Sequence, residues 1–378
     1  MHPVAAPVAM PCVGEGSLLA LRLFDVAYAI DLERLADAWR RSGGRPARRA
    51  QLSARAPRRV IWNAPPLELD LGQAELGIGA DKPILAARAR VYAFGVVTLA
   101  LDWMQADQAW DDLVDRLRAL DRAVDGDAGI TLWRQLLERV MQALPTPRQR
   151  PQAPRIEEDY LIALVRRWRD PITTAELLQR VDLARLLSGE RDALSEETRR
   201  ELLRHRHSYF HDDLVALTWD RALIVEPRGD ADALDMIEQA NAQLLELRWY
   251  DAVLNEEMPR MAALVEGTHR PFRARVPWHV ARQARRLHAQ IAEVNDLVEK
   301  VDGTLQLTGD TWLARVHASA RDALGVPGMA KALERKLALM RETYRALYDE
   351  ATSLRATVLE VTIIVLIALE IVLAITTR

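Results

Sequence analysis

Residues 358–375, VLEVTIIVLIALEIVLAI, form an almost unbroken apolar run near the C-terminus. Only Glu360, Thr362 and Glu370 interrupt it. At about 1.5 Å of rise per residue, a helix over this run is roughly 27 Å long, close to the thickness of the hydrocarbon core of a bilayer. The run therefore predicts a single C-terminal transmembrane helix, and a buried helix of a soluble core is the alternative.

The residues before this run carry apolar side chains at alternating spacings of four and three residues. This seam comprises Leu333, Leu337, Met340, Tyr344, Leu347, Ala351, Leu354 and Val358, and it continues in phase through Val361, Val365, Ala368, Val372 and Ile375. Such spacing is the heptad pattern of a coiled coil. Residues 280–301 repeat it, so we predict that residues 266–357 form a helical stalk, an antiparallel hairpin whose second arm continues into the membrane helix. The seam either joins copies of the chain or packs internally.

Two carboxylates within the run bear on how this helix packs. Glu360 and Glu370 lie off the seam, and Glu370 falls near the middle of the predicted span. A carboxylate that faces lipid costs on the order of 2.5–3.5 kcal/mol. We therefore expect both side chains to contact another helix, and we predict a homo-oligomer that assembles through stalk and span. Ion conduction is the less favoured explanation, because one span with one central carboxylate makes a poor pathway.

The composition of the whole chain is that of an ordinary soluble protein rather than of a nucleic-acid-binding one. The chain has 378 residues, of which 28% are charged, and a formal net charge of -3. A single cysteine, Cys12, cannot form an intramolecular disulfide and fits a reducing compartment. Residues 1–16 lack the basic segment and long apolar core of a secretory signal. We therefore expect the bulk of the chain to lie in the cytoplasm.

The first 265 residues alternate between strand-like and helix-like patterns. Strands are predicted near residues 18–30, 60–62, 67–71, 89–101, 159–168 and 204–225, and helices near residues 32–41, 108–124, 131–143, 173–187 and 230–254. The predicted fold class is α+β, with an N-terminal α/β region ahead of the helical hairpin and the transmembrane helix. Residues 1–143 and 156–265 repeat the same order, as two β-α-β-β-α units would, and the proline-rich residues 144–155 are the predicted linker.

An arginine-rich segment lies within the first of these units. Residues 40–59 contain eight arginines and no acidic residue, and their glycines and prolines predict a loop. The segment is either a solvated loop or a contact surface for RNA phosphates or anionic lipid. The candidate polyanion-binding residues are Arg45, Arg48, Arg49, Arg55, Arg58 and Arg59.

A cluster of histidines carries the residue types of a metal site. Alternate residues of a strand share a face, so a strand here places His205 and His207 on one side, with His211 nearby. Zinc or manganese uses such ligands, but a polar strand edge explains the same sequence. The chain contains no glycine-rich phosphate loop and no nucleophile elbow. We therefore predict no catalytic residue and no cofactor.

Two short motifs carry a family resemblance. One comprises Leu359, Glu360, Ile363, Ile364, Leu366, Ile367, Glu370 and Ile371, and the other comprises Tyr92, Phe94, Gly95, Val96 and Val97. Both are similar to motifs of the YagE family, also called the required-for-meiotic-nuclear-division family or domain of unknown function 155. The family's second glycine in the strand motif and its tryptophan–proline run before the coiled coil are missing. The resemblance implies a membrane-anchored, non-catalytic protein and, without a transit peptide, a bacterial plasma-membrane one.

Together these patterns predict a membrane-anchored, non-catalytic scaffold or tether that presents a cytoplasmic α/β module. The resemblance implies that its partner is the translation machinery or another membrane complex. The alternative is a metal-dependent enzyme or regulator that uses His205, His207 and His211. A magnesium channel of the CorA type has a similar layout, but it requires a second span and a G-M-N loop, and the sequence has neither.

Overall fold

The computed structural model describes residues 10–45, 47–50, 59–62, 65–144, 156–268, 305–308 and 311–376. The chain divides into two compact units: the first comprises Met1–Trp249 and Lys300–Met329, and the second comprises Tyr250–Glu299 and Ala330–Arg378. Of the predicted linker, only Leu144 lies within the described residues. The predicted domain boundaries therefore stay a prediction.

The described part of the chain contains eleven strands and nine helices. The strands are β1 (Cys12–Asp25), β2 (Arg48–Arg49), β3 (Arg59–Trp62), β4 (Leu67–Glu75), β5 (Ile84–Val91), β6 (Val96–Ala109), β7 (Glu157–Trp168), β8 (His205–His207), β9 (Leu214–Leu217), β10 (Arg221–Val225) and β11 (Leu305–Thr308). The helices are α1 (Leu32–Arg41), α2 (Trp110–Asp125), α3 (Asp127–Ala143), α4 (Thr174–Arg180), α5 (Leu183–Ser188), α6 (Glu196–Leu202), α7 (Asp232–Thr268), α8 (Thr311–Ala323) and α9 (Val326–Thr376).

Nine of these strands form one sheet in the order β2-β4-β5-β6-β1-β7-β10-β9-β8. The long strand β1 lies in the middle and pairs antiparallel with β6 on one side and with β7 on the other. β10 runs parallel to β7, whereas the other neighbouring strands of this sheet are antiparallel. β3 and β11 pair separately as a two-stranded sheet.

One face of the large sheet builds the apolar core. Successive side chains of a strand point to opposite faces, so alternate residues of β4, β5 and β6 meet there. They are Leu67, Leu69, Leu71, Leu85, Ala87, Ala89, Val91, Val97, Leu99 and Leu101. α2 packs against β1 and β6 with Trp110, Leu113, Leu117 and Leu120, each at most 1% exposed. The spacing of these four residues in the sequence predicts one apolar face of the helix, and their burial confirms it.

Helix α1 begins where the sequence predicts. Asp31 is its N-cap, and one carboxylate oxygen accepts hydrogen bonds from the backbone N–H groups of Glu33 and Arg34, both at 3.1 Å. Such a cap satisfies donors that have no partner within the helix. The sequence predicts that Leu35 and Trp39 face inward, and both side chains are buried. The local pattern was therefore sufficient to place both the start of this helix and its inner face.

The edge of the sheet at β4 is blocked in two ways. β2 pairs with Leu67 and Glu68, and among the described strands the rest of β4 has no neighbour on this side. At the bulge that follows, the carboxylate of Asp70 accepts a hydrogen bond from the backbone N–H of Gly72 at 2.7 Å. The guanidinium of Arg139 donates to the carbonyl of Leu71 at 2.8 Å. Because both backbone groups are occupied, a further strand cannot extend the sheet here in register.

The architecture corrects the predicted fold class. The chain is a mixed α/β protein, and one sheet contains strands from both predicted repeats because β1 pairs with β6 and with β7. Over residues 89–101 the sequence predicts a strand pair or one bent strand, and the structure has a pair, the hairpin of β5 and β6. Gly95 turns this hairpin with a φ of 103°, a conformation that glycine adopts without strain.

The C-terminal prediction is corrected as well. The heptad seam and the apolar run do share one helix, α9, but residues 280–301 lie outside the described residues. In the described part of the chain, no helix is both long and apolar enough to cross a membrane. The predicted transmembrane helix at residues 358–375 is therefore wrong, and Glu360 and Glu370 are exposed.

Candidate functional site

Two neighbouring strands carry charged side chains on the face opposite the apolar core. They are Glu68 and Asp70 in β4, and Arg88 and Arg90 in β5. The register places Glu68 opposite Arg90 and Asp70 opposite Arg88. Side chains directly opposite each other on antiparallel strands interact. The strand register therefore creates two pairs of opposite charge on one face.

The N-terminal part of α7 supplies further charges to this region. Every residue of 232–247 is buried, although seven of the side chains are polar: Asp232, Asp235, Glu238, Gln239, Asn241, Gln243 and Glu246. Carboxylates are almost never fully buried unless they are paired with a cation. The helix therefore depends on cations from the sheet.

Arg90 is the main cation, and we call Glu68, Arg88, Arg90, Asp235 and Glu238 the Arg90 cluster. One terminal nitrogen of Arg90, Nη1, lies 2.8 Å from Asp235 Oδ1 and 3.2 Å from Glu238 Oε2, and the other contacts Glu68. Arg88 Nη2 lies 3.2 Å from the same Glu238 oxygen. The Arg90 side chain is only 5% exposed. The planar, multi-donor guanidinium suits this bridging position better than an ammonium group does.

The Arg90 cluster holds three carboxylates and two guanidinium groups, so its proton content depends on pH. Burial raises the pKa of Asp235 to about 6; Arg90 opposes this shift and Glu238 adds to it. For Glu68, burial also acts to raise the pKa, but Arg90, Arg88 and Arg48 stabilise the carboxylate and the net shift is downward. The cluster therefore takes up a proton at Asp235 as the pH falls through about 6.

A groove of about 510 Å³ lies beside the Arg90 cluster, and we call it the Arg88 groove. It is lined by Arg45, Arg48, Glu68, Leu69, Asp70, Gly72, Gln73, Ala86, Ala87, Arg88 and Asp102. Glu68 and Arg88 belong to both the cluster and the groove. The buried ion pairs therefore adjoin a surface that is open to solvent. Burial raises the pKa of Asp102, while a hydrogen bond from Ser17 and the charge of Arg88 oppose the shift. The groove can bind a polar ligand through ion pairs and hydrogen bonds.

The predicted polyanion-binding arginines have different environments. Arg45 Nη1 lies 2.7 Å from Asp70 Oδ2, and Arg49 pairs with Glu33 and donates to the carbonyl of Pro65. Arg48 lines the Arg88 groove. Arg55 and Arg58 lie outside the described residues, and of Arg59 only the backbone, in β3, is described. Polyanion binding by these residues stays a prediction.

The predicted metal ligands lie at the other edge of the sheet. His205 and His207 share a face, as predicted: His205 Nε2 lies 3.7 Å from Asp322 Oδ2, and His207 Nε2 lies 2.7 Å from Ser319 Oγ, both on α8. The backbone carbonyl of His211 accepts a hydrogen bond from the backbone of Thr174. Across the residues with described positions, no group of three or more His, Cys, Asp or Glu side chains is placed to hold a metal ion. The geometry gives the metal hypothesis no support.

Comparison with known proteins gives a family match for the part of the chain that lines the Arg88 groove. Residues 15–232 match the family described as "Uncharacterized protein MJ0711, N-terminal domain". The chain belongs to this family. It is 27% identical over 193 residues to the uncharacterized protein MJ0711 of Methanocaldococcus jannaschii, a match that covers 51% of this chain and 58% of that relative. The chain thus spans little more than half of the relative's length. No solved structure matches.

Membership of the MJ0711 N-terminal-domain family corrects two expectations. The resemblance to the YagE family is wrong: the matched residues exclude the C-terminal motif, and Tyr92–Gly95 of the other motif form a turn instead of a strand. The predicted location in a bacterial plasma membrane is also wrong, because the described helices include no span and the relative is archaeal.

The Arg90 cluster was not predicted from the sequence, although the pattern of its two strands is visible there. Charged residues alternate with apolar ones at Glu68 and Asp70 and again at Arg88 and Arg90, which indicates two strands with a charged face. Nothing comparable marks Asp235 and Glu238. In the sequence they resemble the solvated face of an amphipathic helix, and only the packing of α7 shows that they are buried.

Proposed function

We propose that the protein is a non-catalytic scaffold that assembles with copies of itself through α9 and presents its nine-stranded sheet to a partner. The observation that carries this proposal is the exposure of apolar side chains near the end of α9. Eleven large apolar side chains between Leu359 and Leu373 are each 48–65% exposed. A continuous apolar surface of this kind marks an interaction site.

The order of these side chains supports a second copy of the same helix as the occupant. Val361, Val365 and Val372 continue the heptad seam of the preceding residues, so parallel copies in register place identical side chains against each other. Glu360 and Glu370 fall outside the seam and remain in solvent in such an assembly. Because apolar residues occur all around this segment, we propose a bundle of more than two helices.

The non-catalytic part of the proposal is supported by the charges of the first unit. In the Arg90 cluster, Asp235 and Glu238 are buried and bound by Arg90, so their contacts are structural. An acid or base that acts on a substrate needs to reach it within hydrogen-bond distance. Glu238 is 0% exposed and cannot do so without movement of α7.

Sedimentation equilibrium of the full chain tests the proposal. We expect a mass of several times the 42.7 kDa of one chain, and we expect Val365→Asp, on the seam, to reduce it to one chain. The matched control is Ile363→Asp, which puts the same charge on a neighbouring position outside the seam and should retain most of the assembly. A wild-type chain that sediments as a monomer contradicts the proposal, as does binding to lipid vesicles without self-association.

A further inference from the structure

We propose that the Arg88 groove binds a small ligand that carries a phosphate group and several hydroxyl groups, of the chemical class of a sugar phosphate. The groove lies on the first unit and the assembly surface lies on α9, so this inference does not depend on the proposed scaffold. The volume of about 510 Å³ falls within the range of small-molecule sites in proteins.

The charges of the lining favour a ligand with both an anionic group and hydrogen-bond donors. Three guanidinium groups line the groove, from Arg45, Arg48 and Arg88, together with the carboxylates of Glu68, Asp70 and Asp102. Guanidinium groups bind phosphate through paired hydrogen bonds, and ionised carboxylates accept hydrogen bonds from hydroxyl groups. Among the described lining residues there is no aromatic side chain, so stacking of a nucleobase has no platform there.

Arg88 is held in position before any ligand arrives. Its two terminal nitrogens lie 3.3 Å and 3.2 Å from the same oxygen of the buried Glu238, while a quarter of the side chain remains exposed. A side chain fixed in this way loses little further rotational freedom on binding, and preorganisation of this kind increases affinity. Arg88 is therefore the fixed cation of the groove.

Arg48 is the second cation that we assign to the phosphate. It lies opposite Glu68 in the β2–β4 pair, but the carboxylate of Glu68 is bound by Arg90 from the other side. Arg48 is exposed, and although its charge also stabilises the Glu68 carboxylate, its guanidinium can bind an incoming anion. Arg45 pairs with Asp70 where both side chains are exposed, and such surface pairs contribute little, so a phosphate group can compete for Arg45 as well.

Asp102 is the group that we assign to the hydroxyl groups of the ligand. It lies on β6 opposite Ala86, whose small side chain leaves space above the sheet. Its carboxylate oxygens can accept hydrogen bonds from the hydroxyl groups of a polyol. The same carboxylate repels an additional phosphate, which favours a ligand with one anionic end over a polyanion.

Isothermal titration calorimetry of the full chain tests the proposal with three probes: glucose 6-phosphate, glucose and inorganic phosphate. We expect glucose 6-phosphate to bind at least tenfold more tightly than either of its parts. Arg48→Ala should weaken this binding at least tenfold. Arg40→Ala is the matched control, since Arg40 is exposed on α1, pairs with Asp37 and does not line the groove; its affinity should be unchanged.

Asp102→Asn tests recognition of the hydroxyl groups separately from recognition of the phosphate group. We expect it to weaken binding of glucose 6-phosphate while leaving that of inorganic phosphate unchanged. The proposal is overturned if glucose 6-phosphate binds no more tightly than phosphate, or if Arg48→Ala leaves its affinity unchanged. Binding of single-stranded RNA that requires Arg48, without binding of glucose 6-phosphate, also overturns it and identifies a polyanion surface. Val365→Asp should leave groove binding intact, which distinguishes a failure of the scaffold proposal from a failure of this one.

Discussion

Polar residues usually lie at the surface of a protein and apolar residues in its interior. Two helical segments of this protein depart from that distribution, one with buried polar residues and the other with exposed apolar residues. In α7, residues 232–247 are buried although they include Asp235, Glu238 and Glu246. In α9, residues 359–373 are exposed although most of them are leucine, isoleucine and valine. The first segment belongs to the first compact unit and the second segment to the other unit.

The difference shows where each segment finds its stabilising contacts. The carboxylates of α7 are compensated within the chain, because β5 supplies Arg88 and Arg90 at the right register. The described contacts within the chain leave the apolar side chains of α9 exposed. The buried carboxylates of α7 depend on cations from the sheet, whereas the apolar side chains of α9 form the surface through which we propose self-assembly.

Removal of the central cation of α7 has the largest expected effect. Arg90→Met keeps an unbranched but shorter side chain and leaves Asp235 and Glu238 without the positive charge that they share. We expect the free energy of unfolding to fall by about 3–5 kcal/mol, as it does when one partner of a buried ion pair is removed. Urea denaturation followed by circular dichroism measures this loss.

The control for Arg90→Met is the same substitution at a surface ion pair. Arg40 pairs with Asp37 on α1, and both side chains are more than 60% exposed. We expect Arg40→Met to change the free energy of unfolding by less than about 1 kcal/mol. If the two substitutions have equal effects, the buried charges of α7 do not depend on Arg90.

The second prediction concerns the pH dependence of the buried charges. The folded pKa of Asp235, about 6, lies above the ordinary value of 3.8, so the folded state binds this proton more tightly than the unfolded state does. Its contribution to stability is therefore present below pH 4 and is lost as the pH rises to about 6. A shift of this size corresponds to roughly 3 kcal/mol.

Comparison of the wild type with Asp235→Asn isolates this contribution. The lowered pKa of Glu68 makes the free energy of unfolding rise with pH at lower pH, a slope of the opposite sign. This contribution is common to the wild type and Asp235→Asn. We expect the difference in the free energy of unfolding between them to change between pH 4 and pH 6, and to be constant above pH 7. Parallel stability curves over the whole range would show that Asp235 does not hold the proton.

The smallest expected effect on folding comes from the exposed segment of α9. Leu366 is 58% exposed, so Leu366→Ser removes few contacts within one chain. We expect the free energy of unfolding of the first unit to change by less than about 0.5 kcal/mol. Assembly measured on the same sample should be largely retained, because Leu366, like Ile363, lies outside the heptad seam. A large loss of folding stability without any change in assembly would place this side chain inside the fold.

Local patterns in the sequence were sufficient for much of the secondary structure. The N-cap Asp31 and the buried Trp39 define α1, and the spacing of Leu113, Leu117 and Leu120 defines the inner face of α2. These features involve residues that are close in the chain. The order of strands in the sheet depends instead on residues far apart in the sequence, because β1 pairs with β6 and β7. No local pattern specifies that order.

The candidate site was harder to predict from the sequence, because it also depends on residues that are far apart in the chain. The alternation at Arg88 and Arg90 predicts a charged strand face, but the burial of that face depends on α7, more than 140 residues later. The apolar residues near the C-terminus led to a wrong prediction. The run at residues 358–375 predicted a membrane helix from hydropathy and length alone, properties that also occur in helices that assemble with each other.

The central position of β1 has a consequence for the synthesis of the protein. Its neighbours in the sheet begin at Val96 and end at Trp168, so both become available only long after Asp25 has been added to the chain. At roughly 5–20 residues per second, this delay is on the order of ten seconds. During that interval a strand rich in leucine has neither of its partners. The growing chain therefore passes through a stage in which the middle of its future sheet is its most aggregation-prone part.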